Sequence, residues 1–145
     1  NRSNKKTKNK NLSSFNQNIQ LPFLISSKKD FFVCSIQEVK PNFITYKNIK
    51  SKCVRLSKKA KNKNLKNKIV LIENADPGYD WIFSKNIKGL ITKNGGINSH
   101  MSIRCQELNI PAAIGLGEYN FNLLKNNFNI NLNCKLNKIN ILNTN

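Results

Sequence analysis

The chain has 145 residues, enough for one domain with a modest core or a small domain plus a tail. Its formal charge of +18 is one-sided: residues 1–68 hold 18 Lys/Arg against 2 Asp/Glu, a net of +16, whereas residues 69–145 hold 7 against 5, a net of +2. Such a charge attracts polyanions at low salt, but no zinc-finger spacing or Gly-flanked aromatic RNA-binding motif accompanies it. A dedicated nucleic-acid binder is therefore a lesser reading than compositional bias or a basic surface that docks on an acidic neighbour domain. Cys34, Cys53, Cys105 and Cys134 form neither a CxxC pair nor a zinc spacing, which fits a reducing, cytoplasmic setting better than a disulfide scaffold. No apolar run approaches the length of a membrane span and no apolar signal segment opens the chain. The first residue is Asn1, which reads as a piece of a longer product.

In chain order, residues 1–29 are polar and basic with few anchors, the composition of a linker or mobile arm, although LPFLI at 21–25 is a short apolar patch. DFFVCSIQEV at 30–39 is strand-like and stops before Pro41; FITY at 43–46 and CVRL at 53–56 are further short strands. KKAKNKNLKNK at 58–68 is a charged loop. It leads into KIVLI at 68–72, the clearest strand of the chain: short, branched and apolar. Asp76-Pro77-Gly78 signals a turn in which Asp76 caps a short helix with Pro77 at its first position, and Tyr79, Ile82 and Phe83 share one face of it. GLIT at 89–92 is a strand and NGG at 94–96 a tight turn. Asn98 or Ser99 caps a helix running to about Leu108, with Met101, Cys105 and Leu108 as its buried stripe. Pro111 closes the helix, AAIG at 112–115 is a strand, FNLLK at 121–125 a helical turn, and NINLNCKLNKINIL at 129–142 a hairpin or two edge strands.

His100 is the chain's single histidine, and its setting points to chemistry. A helix start offers unpaired backbone N–H groups and the positive end of the macrodipole, which stabilise phosphoryl oxygens. Gly95 and Gly96 allow a close approach without Cβ interference. Neutral imidazole is a competent nucleophile near pH 7. Arg104, one turn later, is placed to clamp the phosphoryl group, or else pairs with Glu107 on a solvated face. Ser99 is either a hydrogen-bond donor to the ligand or only a cap. Glu73, Asp76 and Asp80 form an acidic cluster that turn chemistry and solvation explain, so no metal ligand is assigned. Cys105 is read as inert core.

GLITKNGGINSHMSIRCQELNIPAAIGLG at 89–117 closely resembles the mobile phosphohistidine domain of phosphoenolpyruvate-utilising enzymes, the group of phosphoenolpyruvate synthase, pyruvate phosphate dikinase and rifampin phosphotransferase. The Gly-Gly, the Ser-His pair, the Glu-Leu and the following Ile-Pro-Ala match in order and spacing; the resemblance spans roughly 68–117. It implies an α/β fold, a swivelling β/β/α phosphohistidine domain over 30–145. It also implies that His100 accepts the β-phosphoryl group of ATP and passes it to pyruvate or another small acceptor. ATP and Mg²⁺ would be bound by a separate ATP-grasp nucleotide-binding domain in the same or a partner chain, so the chain is not expected to be active alone. Two departures stand out: Met101 and Ser102 follow the histidine where many members carry two small residues, and Gln106 precedes the Glu-Leu pair where many carry arginine. ADPGYDWIF also resembles a subgroup linked to surface-polysaccharide modification that includes a glutamine kinase, which makes glutamine an alternative acceptor. The competing readings are a non-catalytic interaction module that retains the fold and, behind it, a basic nucleic-acid-binding fragment.

Overall fold

The computed structural model describes residues 24–25, 40–57 and 63–142. The strands are β1 (Leu24–Ile25), β2 (Asn42–Ile44), β3 (Asn48–Arg55), β4 (Ile69–Asn74), β5 (Gly89–Asn94), β6 (Ala112–Ile114), β7 (Asn129–Asn133) and β8 (Lys138–Leu142). A 3₁₀ helix spans Pro77–Lys85, and two α-helices follow: α1 (His100–Glu107) and α2 (Glu118–Leu123). The strands form one ladder in the order β1-β8-β7-β3-β4-β5-β6-β2.

Strand β3 is the pivot of this ladder. Its first half, 48–52, pairs antiparallel with β7, and its second half, Cys53–Arg55, pairs parallel with β4. The change of partner is written in the burial. Along NIKSK every second residue faces inward, as befits a strand wet on one side, whereas Cys53 and Val54 are buried in succession because both faces are covered. Strands β4, β5 and β6 continue the second pattern as consecutive buried residues and pair parallel with one another. β2 closes that edge antiparallel to β6, and the β7–β8 hairpin alternates.

Two apolar clusters sort the side chains by parity. Ile69, Leu71, Ile91 and Ala113 pack with Ile130, Leu132 and Ile139 of the hairpin and with Phe121 and Leu124 of the α2 region. Val70, Ile72, Leu90, Ala112 and Ile114 pack with Ile82 of the 3₁₀ helix and Met101 and Cys105 of α1. The inner strands are thus sandwiched between a folded-over β-layer and a helical layer. The domain is α/β with mixed parallel and antiparallel pairing.

Most expected elements occur, with shifted bounds. β3 begins five residues before CVRL, because its polar first half is held by pairing with β7 rather than by burial. The strand expected to run to Tyr46 ends at Ile44, where Thr45 takes a φ of 70°. The helical turn expected at 121–125 begins earlier, at Glu118. Leu108 is not part of the buried stripe: it is the C-cap of α1 and 43% exposed, while Asn109 at φ 53° turns the chain away. The charged loop is anchored by Leu65, which is buried. The strand expected at 30–39 lies outside the described residues, as does the 1–29 arm apart from Leu24–Ile25, which pairs parallel with β8. No helix among the described residues is long and apolar enough to cross a membrane.

Candidate functional site

The carboxyl ends of β4, β5 and β6 lie side by side, the place where open α/β sheets characteristically present their working loops. The turns there are tied together. Asn94 donates from its side-chain amide to the Asn74 side-chain oxygen at 2.9 Å, and the Ala75 N–H donates to the Asn94 carbonyl at 3.1 Å. Gly95, at φ 133°, is wedged where a Cβ would sit 2.6 Å from that of Ala75. A Cβ on Gly115, at φ 77°, would collide with the Gly95 carbonyl oxygen. The next glycine differs: Gly96 is outside the left-handed region, and a Cβ there would meet nothing within 4 Å. Gly95 is therefore required by the crossing of the turns, whereas the bareness of Gly96 leaves open space at the approach to α1.

Helix α1 starts at His100. Ser99, extended at φ −68° and ψ 152°, caps it with a side-chain oxygen that accepts from the Ser102 N–H at 3.4 Å, and the Ser99 N–H donates to the Gly96 carbonyl at 3.0 Å. Met101, Ser102 and Cys105 turn inward and fix the rotation of the helix, so His100 and Arg104 emerge together on the outer side. Their side chains remain partly open, 40% exposed for His100 and 34% for Arg104.

The two meet through a third residue. Asp80, on the 3₁₀ helix, places one carboxylate oxygen 2.9 Å from His100 Nε2 and 3.1 Å from Arg104 Nε. Arg104 Nη1 donates to Glu107 Oε2 at 3.0 Å, and the guanidinium lies 5.8 Å from the centre of the Phe83 ring. The hydrogen bond from His100 holds the Asp80 carboxyl below the ordinary carboxylate range, helped by the hydrogen bond and charge of Arg104 and opposed by partial burial. An ionised carboxylate only accepts, so the Nε2 facing it carries hydrogen, and in the neutral ring the lone pair then lies on Nδ1. Glu107 and Asp80 in turn favour the guanidinium and raise the Arg104 pKa.

Of the residues singled out in the sequence, His100, Arg104, Ser99, Gly95 and Gly96 all lie at this one end, in the turn after β5 and on α1. Arg104 holds Glu107 with Nη1, one of its two expected partners, and turns Nε to Asp80 beside His100. Asp80 is the participant that the sequence reading left among the solvated acids. The acidic cluster itself is dispersed: Glu73 pairs with Arg55 at 3.4 Å, Asp76 accepts from the Gly78 N–H at 2.7 Å, and Asp80 turns to His100. Among the described residues no group of three His, Cys, Asp or Glu side chains is placed to hold a metal ion. Burial pushes the Cys105 thiol up to about 12 and those of Cys53 and Cys134 to about 11, so these cysteines are packed as neutral thiols.

Residues 65–135 match the family of the PEP-utilising enzyme, mobile domain. That segment runs from the anchor Leu65 to the hairpin and contains every residue of the site. That match is consistent with a phosphohistidine-carrier role. No curated protein matches the chain. Among solved structures, the solution NMR structure of a UPF0107 protein is similar at a TM-score of 0.57 and 12% identity, covering 72% of this chain and 98% of that one. At that identity the likeness concerns the fold alone.

Proposed function

We propose that this domain is the phosphoryl carrier of an ATP-dependent phosphotransferase, with His100 as the residue that is phosphorylated. The observation that carries the reading is the convergence at the start of α1. An open imidazole begins α1, four residues after the uncrowded Gly96, whose carbonyl accepts from the Ser99 N–H, and Arg104 lies one turn away on the same side. The helix start favours negative charge, a guanidinium one turn on adds charge-assisted hydrogen bonds, and the space at Gly96 admits a bulky phosphate donor.

In this reading a separate nucleotide-binding domain of the ATP-grasp type holds ATP and Mg²⁺. The β-phosphorus of ATP is attacked by the imidazole, a P–N bond forms and AMP is left behind. The domain then swivels and delivers the phosphoryl group to a small acceptor, pyruvate or another molecule such as glutamine. The polar, basic composition of residues 1–20 suits a connection of the kind that visiting two sites demands.

The test uses the full-length protein, or this chain with its nucleotide-binding partner, and ATP labelled at the β-phosphorus. Acid-labile, base-stable label on the native protein and none on His100→Ala establishes the carrier. Label on neither, with ATP shown to bind, leaves a non-catalytic module; label on both places the reactive residue elsewhere.

A further inference from the structure

We infer that Asp80 is a built-in stand-in for the phosphoryl group: in the resting domain its carboxylate occupies the position at His100 Nε2 and Arg104 that the phosphoryl group takes, and phosphorylation expels it. The inference deepens the carrier reading and rests on it for the biological donor, but its physical content is tested without that donor.

A single oxygen of Asp80 bridges His100 Nε2 at 2.9 Å and Arg104 Nε at 3.1 Å. Nε2 is therefore the ring nitrogen turned toward the guanidinium. A phosphoryl group on Nε2 would meet Arg104 where the carboxylate now meets it; a group on Nδ1 would point away from that pair. Nε2 phosphorylation and the Asp80 contact exclude each other on two grounds. The P–N bond takes the place of the N–H that Asp80 accepts from, and two anions in contact at a half-exposed site repel.

The bonding changes follow. The ring first moves its proton from Nε2 to Nδ1 through solvent, which breaks the Asp80 bond. The Nε2 lone pair then forms the P–N bond while the donor's bond to phosphorus breaks, its electron pair leaving on the donor atom, and the Nδ1 proton is free to return to solvent. Arg104 passes from carboxylate to phosphoryl oxygens and keeps Glu107 on Nη1.

The consequence lies in the 3₁₀ helix. Pro77–Lys85 is held to the domain by buried Ile82 from beneath and by the Asp80 bonds and the Arg104–Phe83 contact at its outer edge. Loss of the outer tie loosens that edge without unseating Ile82. The surface around His100 thus differs between the empty and loaded carrier, and Asp80 is a positioning residue that gives a partner domain a means of telling them apart.

The probe is potassium phosphoramidate, which phosphorylates histidine chemically, applied to the full chain and to Asp80→Asn, with Asp80→Glu as the conservative variant. ¹⁵N NMR of the imidazole identifies the modified nitrogen, and amide exchange follows Tyr79–Phe83. The expected result is phosphoryl on Nε2, roughly tenfold faster exchange over Tyr79–Phe83 on modification, and faster modification of Asp80→Asn, whose segment is already loosened, with Asp80→Glu nearer the native protein. Modification at Nδ1, no modification of a folded chain, or Nε2 modification with unchanged exchange would each overturn the stand-in. Chemical modification that behaves as expected together with no labelling from ATP would leave Asp80's role standing and sink the ATP-donor reading instead.

Discussion

The two faces of the inner strands are both sealed by apolar side chains, yet only one cover carries the proposed site. On one face, Ile69, Leu71, Ile91 and Ala113 meet the hairpin and Phe121, over whose ring lies Arg55, paired with Glu73. On the other, Met101, Cys105 and Ile82 seal the sheet while the same two helices display His100, Arg104 and Asp80 outward. In the proposed reading the difference separates stability from function: the inward side of α1 fixes the helix, and that fixed helix aims the outward side.

The sharpest way to break this comparison is to change one side and read both properties. His100→Ala is expected to abolish labelling from ATP while shifting stability by about 1 kcal/mol or less, since only a half-exposed pair is lost. Chemical denaturation beside the labelling assay checks both. Phe121→Ala tests the opposite face. It empties a fully buried aromatic site and should cost about 3–5 kcal/mol in urea unfolding, with labelling per folded molecule unchanged.

The adjacent glycines make a finer test. Gly95→Ala forces a side chain into a φ of 133° and against Ala75, so a loss of about 1–3 kcal/mol is expected. Gly96→Ala has open space and should stay within about 0.5 kcal/mol of native while slowing phosphorylation, because the added methyl occupies the donor's approach. Equal stability losses at both positions would erase the distinction between a structural and a functional glycine.

The smallest effect is the pH dependence of the Asp80 ties. Hydrogen bonding to His100 and Arg104 lowers the Asp80 pKa in the folded state. Its contribution to stability is therefore fully present above the unfolded value of about 3.9 and is lost as pH falls through the lowered folded value. Urea midpoints of the native protein and Asp80→Asn should differ at neutral pH and draw together in acid.

How much of this was legible in the sequence depended on the environment of each segment. KIVLI, GLIT and AAIG declare themselves because strands covered on both faces need unbroken apolar runs. The first half of β3, NIKSK, is nearly all polar and is a strand only because β7 lies beside it. The helix and its cap at Ser99 were readable from local chemistry, and so was the pairing of His100 with Arg104 on one side. The role of Asp80 was not: it lies 20 residues from His100 in sequence, and the meeting is made by the packing of the 3₁₀ helix against α1. Nor do two adjacent glycines reveal which is wedged and which is open until the Ala75 and Gly115 turns close around them.

The central claim concerns one atom's bond to phosphorus, so the most direct measurement is to locate it. After incubation of the full-length protein with ATP and Mg²⁺, digestion at alkaline pH and fragmentation that preserves P–N bonds should place the phosphoryl group on His100, within the peptide spanning 94–104. A phosphate on Ser99, on Ser102 or outside this segment would contradict the account.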